Sequence, residues 1–384
     1  MTRTRVVVAM SGGVDSSVAA ALLVEQGYEV IGMMLRLWAE EGLNEVGKPN
    51  TNRCCAPEAV ADARAIANQL GIPFYDIHAE SVFKQRVVDT WVDAYARAET
   101  PNPCLNCNRS IRFGFLMQKA LALGADFLAT GHYAKVTQTM DDGRWTMAED
   151  RPSSIVYRLH KGLDPRKDQS YVLHVLGQKD LARAMFPCGG YTKPQVRELA
   201  RKFGLPTAER AESQDLCFLT QGDYRGFLTR NAPHVAAPGA IINTRGEKLG
   251  THEGLPFYTV GQRKGIGIAA TSSNTKPMFV LRMDAASNAL IVGTAEELGA
   301  RRIRARVMHY VSGEVPSAEM QCMVKVRYKA KEMPATLRPC ADGGAVIEFD
   351  EPSRDATPGQ AAVAYVGDEV IGGGIIAPQS EWGN

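Results

Sequence analysis

Short apolar runs and amphipathic stretches alternate over the first 222 residues of the chain. The run Val6-Val7-Val8 predicts a buried strand, and apolar positions such as Val18 and Leu22 predict a helix from Val14 to about Gln26. The same pattern predicts further strands over 28–35, 72–77 and 125–134, and further helices over 57–70, 83–97, 102–123 and 194–203. This alternation of strand and helix is typical of an α/β fold with a doubly wound parallel sheet.

The pattern changes from about residue 223, where glycine and proline become frequent and short alternating segments replace the strand–helix units. Segments 239–250, 259–268 and 278–292 predict a small β-rich domain, within which 261–267 forms a basic loop. From about Ala300 onward the pattern is that of an all-β domain.

Basic and apolar residues alternate in two stretches of this last part. The first sets Arg302, Arg304 and Arg306 against Ile303, Ala305 and Val307. The second sets Lys325, Arg327, Lys329 and Lys331 against Val324, Val326, Tyr328 and Ala330. A period of two predicts strands with one basic face and one core face. Two such strands favour contact with a phosphate backbone over the alternative, a merely solvated outer face.

Composition narrows the class of protein. The 384 residues contain no apolar run of membrane-spanning length and begin with nothing like a signal peptide, so we expect a cytosolic protein. Eight cysteines in that compartment indicate reduced thiols with chemical or metal-binding roles. A net charge of +2 is too small to indicate a nucleic-acid partner, so any such surface must be local.

The segment Ser11-Gly12-Gly13-Val14-Asp15-Ser16-Ser17 follows the first predicted strand and opens the first predicted helix. A glycine turn at a helix N-terminus exposes backbone N–H groups and favours anions. The loop has no lysine and is therefore not a Walker loop. Asp15 beside phosphates is unfavourable unless a cation lies between them, which suggests Mg²⁺. The alternative is an ordinary turn with Ser and Asp as helix caps.

Cys104 and Cys107 lie three apart at the start of a predicted helix that Asn102 can cap. A helix N-terminus lowers the pKa of a thiol, so a redox or sulfur-transfer pair is one interpretation. A metal or iron–sulfur site and inert packing cysteines are the others. His132 could contact substrate or be structural, and residues 161–171 could be a solvated loop. For Cys54 and Cys55 a structural or secondary role is expected.

Cys217, between Leu216 and Phe218, would by default be a buried apolar residue.

The loop SGGVDSS resembles the signature of the PP-loop ATP pyrophosphatases, which transfer AMP to an oxygen. Together with T-P-N-P-C-x-x-C-N at 100–108, A-T-G-H-Y at 129–133, K-D-Q-S-Y at 167–171 and S-Q-D-L-C-F at 213–218, it is similar to the bacterial tRNA-specific 2-thiouridylases. Gly-Gln-Arg-Lys-Gly at 261–265 and Val-Arg-Tyr-Lys at 326–329 extend this resemblance over nearly the whole chain.

The resemblance implies ATP-dependent sulfuration of the wobble uridine of tRNA, with release of AMP and pyrophosphate. It implies a persulfide on Cys217 and a nucleophile at Cys107, which would end as a transient disulfide. It also implies a partner protein that delivers persulfide sulfur. The positions that match the family's ATP site are Ala9, Met10, Ser11, Gly12, Gly13, Val14, Asp15, Ser16, Leu35 and Gly131. Those that match its tRNA contacts are Asn102, Pro103, Cys104, His132, Lys167, Asp168, Gln169, Arg327, Tyr328 and Gln360.

One departure from the family pattern concerns Cys104. Some members carry an Asp there that is proposed as a general base, so the base is unassigned in this chain. The change also favours a rival hypothesis in which Cys104, Cys107 and Cys217 hold a [4Fe–4S] cluster. Two further hypotheses are a PP-loop synthetase acting on a small molecule, which needs neither Cys107 nor Cys217, and a non-catalytic RNA-binding protein.

Three domains are therefore expected. They are a PP-loop domain resembling the adenine nucleotide α-hydrolases over 1–222, a central β-rich domain over 223–298, and a C-terminal, tRNA-binding β-barrel over 299–384.

Overall fold

A computed structural model describes residues 3–40, 56–140, 155–210, 216–219, 224–233, 236–268 and 276–383. Cys54, Cys55 and a hairpin turn predicted at Asp141-Asp142-Gly143 lie outside this range. Among the described residues, no helix is both long and apolar enough to cross a lipid bilayer.

The first part of the chain forms a five-stranded, all-parallel sheet with the order β3-β2-β1-β4-β7. Its strands are β1 (Arg5–Ala9), β2 (Glu29–Arg36), β3 (Phe74–His78), β4 (Phe127–Ala129) and β7 (Ala184–Met185). Val6 and Val8 of β1 pack into one core cluster and Val7 into another. Both faces of the sheet are therefore covered, which confirms the doubly wound α/β fold.

The five predicted helices of this part are present, together with two short helices, Ser170–Leu173 and Gln178–Leu181, that were not predicted. They are α1 (Val14–Glu25), α2 (Pro57–Gln69), α3, α4, α5 (Ser170–Leu173), α6 (Gln178–Leu181) and α7 (Lys193–Lys202). In α3, Glu80–Phe83 and Thr90–Ala96 flank a π-helical Lys84–Asp89. In α4, Pro103–Asn106 and Met117–Ala122 flank a π-helical Cys107–Leu116.

The middle part begins with α8 (Tyr224–Asn231) and forms a four-stranded sheet with the order β10-β11-β8-β9. Its strands are β8 (Gly239–Asn243), β9 (Lys248–His252), β10 (Phe279–Asp284) and β11 (Ala289–Gly293). The alternating segment predicted at 259–268 is not a strand, because its backbone turns at Val260-Gly261 and again at Lys264-Gly265. The basic loop predicted within it is confirmed.

The last part closes a six-stranded barrel, because β12 pairs with both β15 and β17. Its strands are β12 (Ala300–Tyr310), β13 (Met320–Lys325), β14 (Met333–Pro339), β15 (Ala345–Ser353), β16 (Ala361–Val366) and β17 (Glu369–Ile376). A hairpin of β5 (Ala134–Met140) and β6 (Ile155–Lys161) extends from the parallel-sheet part and joins the barrel at β17. A buried ion pair of 2.6 Å between Arg158 and Glu369 fixes that junction.

The two basic strands are only partly as predicted. In β12, Ile303 and Ala305 are buried and the arginines point outward, but a bulge leaves Val307 78% exposed at a positive φ of 50°. For the second stretch the predicted strand is wrong beyond Lys325, because β13 ends there and the chain turns from Arg327 to Ala330. Arg327, Lys329 and Lys331 therefore do not share a strand face.

Candidate active site

A cavity of about 200 Å³ opens at the carboxyl ends of β1, β2 and β4. The predicted nucleotide residues that line it are Ala9, Met10, Ser11, Asp15, Ser16, Leu35 and Gly131, and Cys107, His132 and Gln169 line it as well. Gly12, Gly13 and Val14 form the adjoining turn without lining the cavity. Chain segments that are far apart in sequence thus meet at the ligand-binding edge of a parallel sheet.

The geometry of the glycine turn requires a glycine at position 12. Gly12 has a φ of +66°, and a Cβ there would overlap the carbonyl oxygen of Ala59. Ser11 N–H donates to Ser16 Oγ at 3.2 Å, and Ser17 Oγ donates to Gly13 O at 2.8 Å. Gly13 caps α1 without a side chain, so the positive end of the helix dipole is available to an anion.

Asp15 is held by two groups that the sequence did not reveal. Lys193 Nζ lies 2.7 and 2.9 Å from its two carboxylate oxygens, and Tyr133 OH donates to Oδ1 at 2.7 Å. Lys193 is the first residue of α7 and is buried, and its backbone N–H donates to Asp164 Oδ2. Lys193 therefore supplies one positive charge beside Asp15 from within the chain.

The three candidate thiols differ in exposure. Cys104 is exposed, Cys107 is 8% exposed and lines the cavity, and Cys217 is half-buried. Asn102 Oδ1 accepts from Cys104 N–H at 3.0 Å, which confirms the predicted cap. Cys107 and Cys217 pack into one hydrophobic cluster with Ile111. Cys107 and Cys217 thus belong to the same large cluster, and Cys107, unlike Cys217, lines the cavity.

Arg210 is bonded to the glycine turn. Its guanidinium donates to Gly12 O at 2.8 Å and pairs with Asp62. The stretch Leu216–Leu219, which begins six residues after Arg210, packs in the cluster of Cys107. Arg210 thus contacts the glycine turn, and Leu216–Leu219 lie in the cluster that contains Cys107.

Comparison with known proteins decides the family. A model of the tRNA methyl transferase HUP domain matches residues 4–221, a tRNA methyl transferase PRC-barrel domain matches 225–294, and an aminomethyltransferase beta-barrel domain matches 300–376. The tRNA-specific 2-thiouridylase MnmA of Moorella thermoacetica is 48% identical over 370 residues, covering 96% of this chain and 98% of its own. That of Magnetococcus marinus is 47% identical over 372 residues, covering 97% and 98%.

The chain belongs to the tRNA-specific 2-thiouridylase family.

Among solved structures, a 4-thiouridine synthetase–RNA complex with bound ATP covers 60% of this chain and 50% of its own, at 16% identity. Its TM-score of 0.32 is too low to support an argument about this chain.

Two metal groups were expected from the sequence, a Mg²⁺ ion beside Asp15 and an iron–sulfur cluster on Cys104, Cys107 and Cys217. Within the described ranges, no group of three or more His, Cys, Asp or Glu side chains is arranged to hold a metal ion. The Cys104, Cys107 and Cys217 set therefore does not fit an iron–sulfur cluster in this conformation. Mg²⁺ needs only one or two carboxylates when phosphates supply the remaining ligands, and Asp15 fits that role if it is shared with Lys193.

His132, which the resemblance assigns to tRNA contact, is a neutral residue of the cavity wall. Its Nδ1 lies 2.6 Å from Thr130 Oγ1, and its ring meets Phe186 edge-on. Burial, and then the charge of Arg112, hold the pKa of His132 well below its usual range. The imidazole is therefore suited to hydrogen bonding, not to supplying positive charge.

The loop at 167–169 is tied to the cavity and is not freely solvated. Gln169 exchanges two hydrogen bonds with the backbone of Tyr133, at 2.9 and 3.0 Å. Both carboxylate oxygens of Asp168 accept internal bonds, from Gly162 N–H, Ser170 N–H and Ser170 Oγ. Lys167 is half-buried at the edge of a separate basic cleft with Arg166. Asp168 thus fixes the conformation of the loop that carries Lys167 and Gln169.

Two barrel residues that the resemblance assigns to tRNA contact, Tyr328 and Gln360, lie near the start of α4. Tyr328 packs on Tyr171, and burial, followed by the nearby Asp168 and Cys104, raises the pKa of Tyr328 to about 12. Gln360 Nε2 donates to Thr100 O at 2.6 Å, two residues before Asn102. These side chains bring the barrel to the start of α4.

Arg327 bridges two parts of the fold. Its Nη2 donates to Val260 O at 2.7 Å, and its guanidinium also bonds to Thr357 Oγ1. It therefore links the basic-loop region of the middle part to the barrel.

Several cavity residues were missed by sequence reasoning. They are Met33, Leu37, Ile111, Arg112, Leu116 and Thr130 in the wall, with Lys193 and Tyr133 behind Asp15. Tyr133 could have been found, since it belongs to the A-T-G-H-Y motif. Lys193 carries no local signal, because a lysine in the first turn of a helix is ordinary.

Proposed function

We propose that the chain is an ATP-dependent tRNA sulfurtransferase that converts the wobble uridine of tRNA to 2-thiouridine. The observation that carries this proposal is the cavity that is lined both by Ser11, Asp15 and Ser16 of the SGGVDSS loop and by Cys107. The relatives named tRNA-specific 2-thiouridylase supply the substrate class.

Activation of the uridine is the first step. The carbonyl oxygen at C2 is a poor leaving group and must first be activated. It attacks the α-phosphate of ATP, pyrophosphate leaves, and the oxygen becomes part of an adenylate, from which AMP can depart. The turn amides and the N-terminus of α1 stabilise the departing pyrophosphate. Mg²⁺, when bound, would neutralise phosphate charge beside Asp15. Neutral His132 and Gln169, in the cavity wall, orient the base by hydrogen bonds.

Sulfur transfer follows at the thiols. The terminal sulfur of a Cys217 persulfide attacks C2 and AMP leaves, which joins C2 to Cys217 through a disulfide. The Cys107 thiolate then attacks the sulfur of Cys217, the 2-thiouridine leaves, and a Cys107–Cys217 disulfide remains. A dithiol reductant restores both thiols. A persulfide-carrying donor protein reloads Cys217.

The test separates the two half-reactions. Cys217→Ser and Cys107→Ser are expected to keep tRNA-dependent cleavage of ATP to AMP and pyrophosphate while losing 2-thiouridine formation. Cys340→Ser, a half-buried thiol of the barrel, is the matched control and should retain both. Full thiolation by Cys217→Ser would contradict the proposal, and AMP formation without tRNA would favour a small-molecule synthetase.

Iron and sulfide analysis of anaerobically purified protein tests the cluster alternative. The persulfide scheme predicts thiolation by iron-free protein supplied with a persulfide donor. Stoichiometric iron that is lost in Cys104→Ser, together with thiolation that requires it, would replace the persulfide scheme by the cluster.

A further inference from the structure

Arg112 is a residue of the candidate active site to which no sequence motif pointed. It follows Cys107 by five positions in the π-helical part of α4, and both side chains line the cavity of about 200 Å³. Among the described residues of the cavity wall, Arg112 is the one cation and Asp15 the one carboxylate. Asp15 is bonded to Lys193 and Tyr133 behind the glycine turn, so Arg112 brings a second positive charge from a different element of the fold.

A buried amide orients the guanidinium. Arg112 Nη1 donates to Asn108 Oδ1 at 3.0 Å, and Asn108 Nδ2 donates to Val172 O at 2.9 Å. Asn108 is 0% exposed, and its amide cannot turn over, because its oxygen would then face the carbonyl of Val172 and its nitrogen the guanidinium. A guanidinium has several N–H donors in a fixed plane, so the bond to Asn108 is compatible with a bidentate contact to a ligand in the cavity.

The cavity offers two different places for the phosphates of ATP. In the proposed function the turn amides and the N-terminus of α1 receive the pyrophosphate part. The α-phosphate must lie nearer the thiols, because it becomes bonded to the oxygen of the carbon that receives sulfur. Cys107 lines the cavity from α4, and Arg112 lines it from the same helix. A guanidinium at this position is therefore placed for the α-phosphate.

The charge on the α-phosphate changes in both steps of the proposed reaction. When the uridine oxygen attacks phosphorus and the bond to pyrophosphate breaks, negative charge is spread over the equatorial oxygens. When sulfur attacks C2, the C2–O bond breaks and its electron pair stays on the oxygen, so the phosphate charge rises from about −1 in the adenylate to nearly −2 in AMP. Arginine stays protonated and holds phosphate oxygens bidentately, which stabilises both changes.

We propose that Arg112 is a catalytic residue that binds the α-phosphate of ATP, of the uridine adenylate and of the departing AMP. The inference rests on the proposed function, which supplies the adenylate. It adds to that function a cation for the phosphoryl group that stays with the base after pyrophosphate has left.

Binding of three ligands separates this role from a structural one. Adenosine, AMP and inorganic pyrophosphate are titrated into Arg112→Gln and into the unsubstituted chain by calorimetry. The variant should bind AMP at least about tenfold more weakly, because a charged hydrogen bond to phosphate is lost, and should bind adenosine and pyrophosphate normally. Lys119→Gln, at an exposed position of the same helix that does not line the cavity, is the matched control and should bind all three normally.

The rate of the first step gives a second measurement. Release of pyrophosphate is followed in a single turnover with saturating ATP and unmodified tRNA. It should be about 100-fold slower in Arg112→Gln, since one preorganised donor to the transition state is missing. Arg112→Lys keeps the charge without the planar fork and should recover part of the rate.

Three results would overturn the inference. The first is an AMP affinity of Arg112→Gln equal to that of the control. The second is an equal loss of affinity for all three ligands, which would limit Arg112 to supporting α4. The third is unchanged AMP binding together with a shift of Cys107 alkylation by iodoacetamide to higher pH, which would show that Arg112 acts on that thiol. All three leave the proposed function standing, whereas that function fails if the unsubstituted chain forms no 2-thiouridine.

Discussion

Asp15 and Lys193 form an ion pair directly behind the turn that is expected to receive phosphates. Lys193 is 7% exposed and its Nζ also lies 5.8 Å from the centre of the Tyr133 ring. A buried ammonium needs such partners, and a carboxylate beside a polyphosphate needs a positive neighbour. The pair satisfies both requirements at once.

Lys193→Met is expected to weaken the binding of ATP without Mg²⁺ by about tenfold or more, equivalent to about 1.4 kcal/mol. Adenosine binding should not change, because adenosine carries no phosphate for the uncompensated Asp15 to repel. Titration calorimetry in a chelator measures both. Lys202→Met is the matched control, since Lys202 lies on the same helix and pairs with Glu25 at the surface.

A second substitution tests whether the loss of ATP affinity in Lys193→Met comes from the charge of Asp15. Adding Asp15→Asn to Lys193→Met removes the repelling charge and should restore much of the ATP affinity. An equal loss of adenosine and ATP in Lys193→Met would instead show that the lysine only supports the packing of α7 on α1.

At the scale of elements, α4 carries much of the cavity wall. Its π-helical stretch has i→i+5 hydrogen bonds and more residues per turn than an α-helix. Positions four or five apart therefore share a face, and Cys107, Ile111, Arg112 and Leu116 all line the cavity. On an α-helical period Arg112 would point away from Cys107.

Asn102→Ala tests the start of this helix. It removes the acceptor for Cys104 N–H and should lower the free energy of unfolding by about 1 kcal/mol, measured by chemical denaturation. Asn102→Asp keeps the cap and should restore stability. If Asn102 also contacts tRNA, the carboxylate of the Asp variant should weaken tRNA binding while stability is retained. Equal tRNA affinity for Asn102→Asp and the unsubstituted chain would limit Asn102 to capping.

Local patterns predicted the elements well where a strand or helix is decided by its own residues. Val6–Val8, the glycine turn and α1 are of this kind, since one buried face or one positive φ fixes each. The alternation at 324–331 failed because Tyr328 packs on Tyr171 of a distant segment, and the chain turns there to reach it. Periodicity carries no information about such a contact.

At the scale of the whole molecule, the parallel-sheet part and the barrel meet around His174. This residue follows α5, is 2% exposed and approaches Gly373 of β17, and its Nδ1 lies 2.7 Å from Tyr171 O. His309 of β12 and Arg109 of α4 are close enough to act on its charge. A proton on His174 would therefore place a charge inside the junction.

The stability of this junction should depend on pH with a definite sign. Burial, and then His309 and Arg109, lower the pKa of His174 to about 4, although the hydrogen bond to Tyr171 opposes them. In the unfolded chain its pKa is near 6.5, so between these values the unfolded state binds the extra proton. Stability contributed by neutral His174 is complete above pH 7 and falls as the pH drops from about 6.5 toward 4.

Denaturation at pH 7 and pH 5 measures the effect. His174 should account for about 2 kcal/mol of the difference in unfolding free energy between these two pH values. His174→Gln, which keeps a side-chain donor, should reduce the difference by that amount, while His78→Gln, at the exposed last residue of β3, should leave it unchanged. His132 is buried and neutral as well, so a pH dependence remains in His174→Gln. An undiminished difference in that variant would mean that the junction admits water and lets His174 titrate normally.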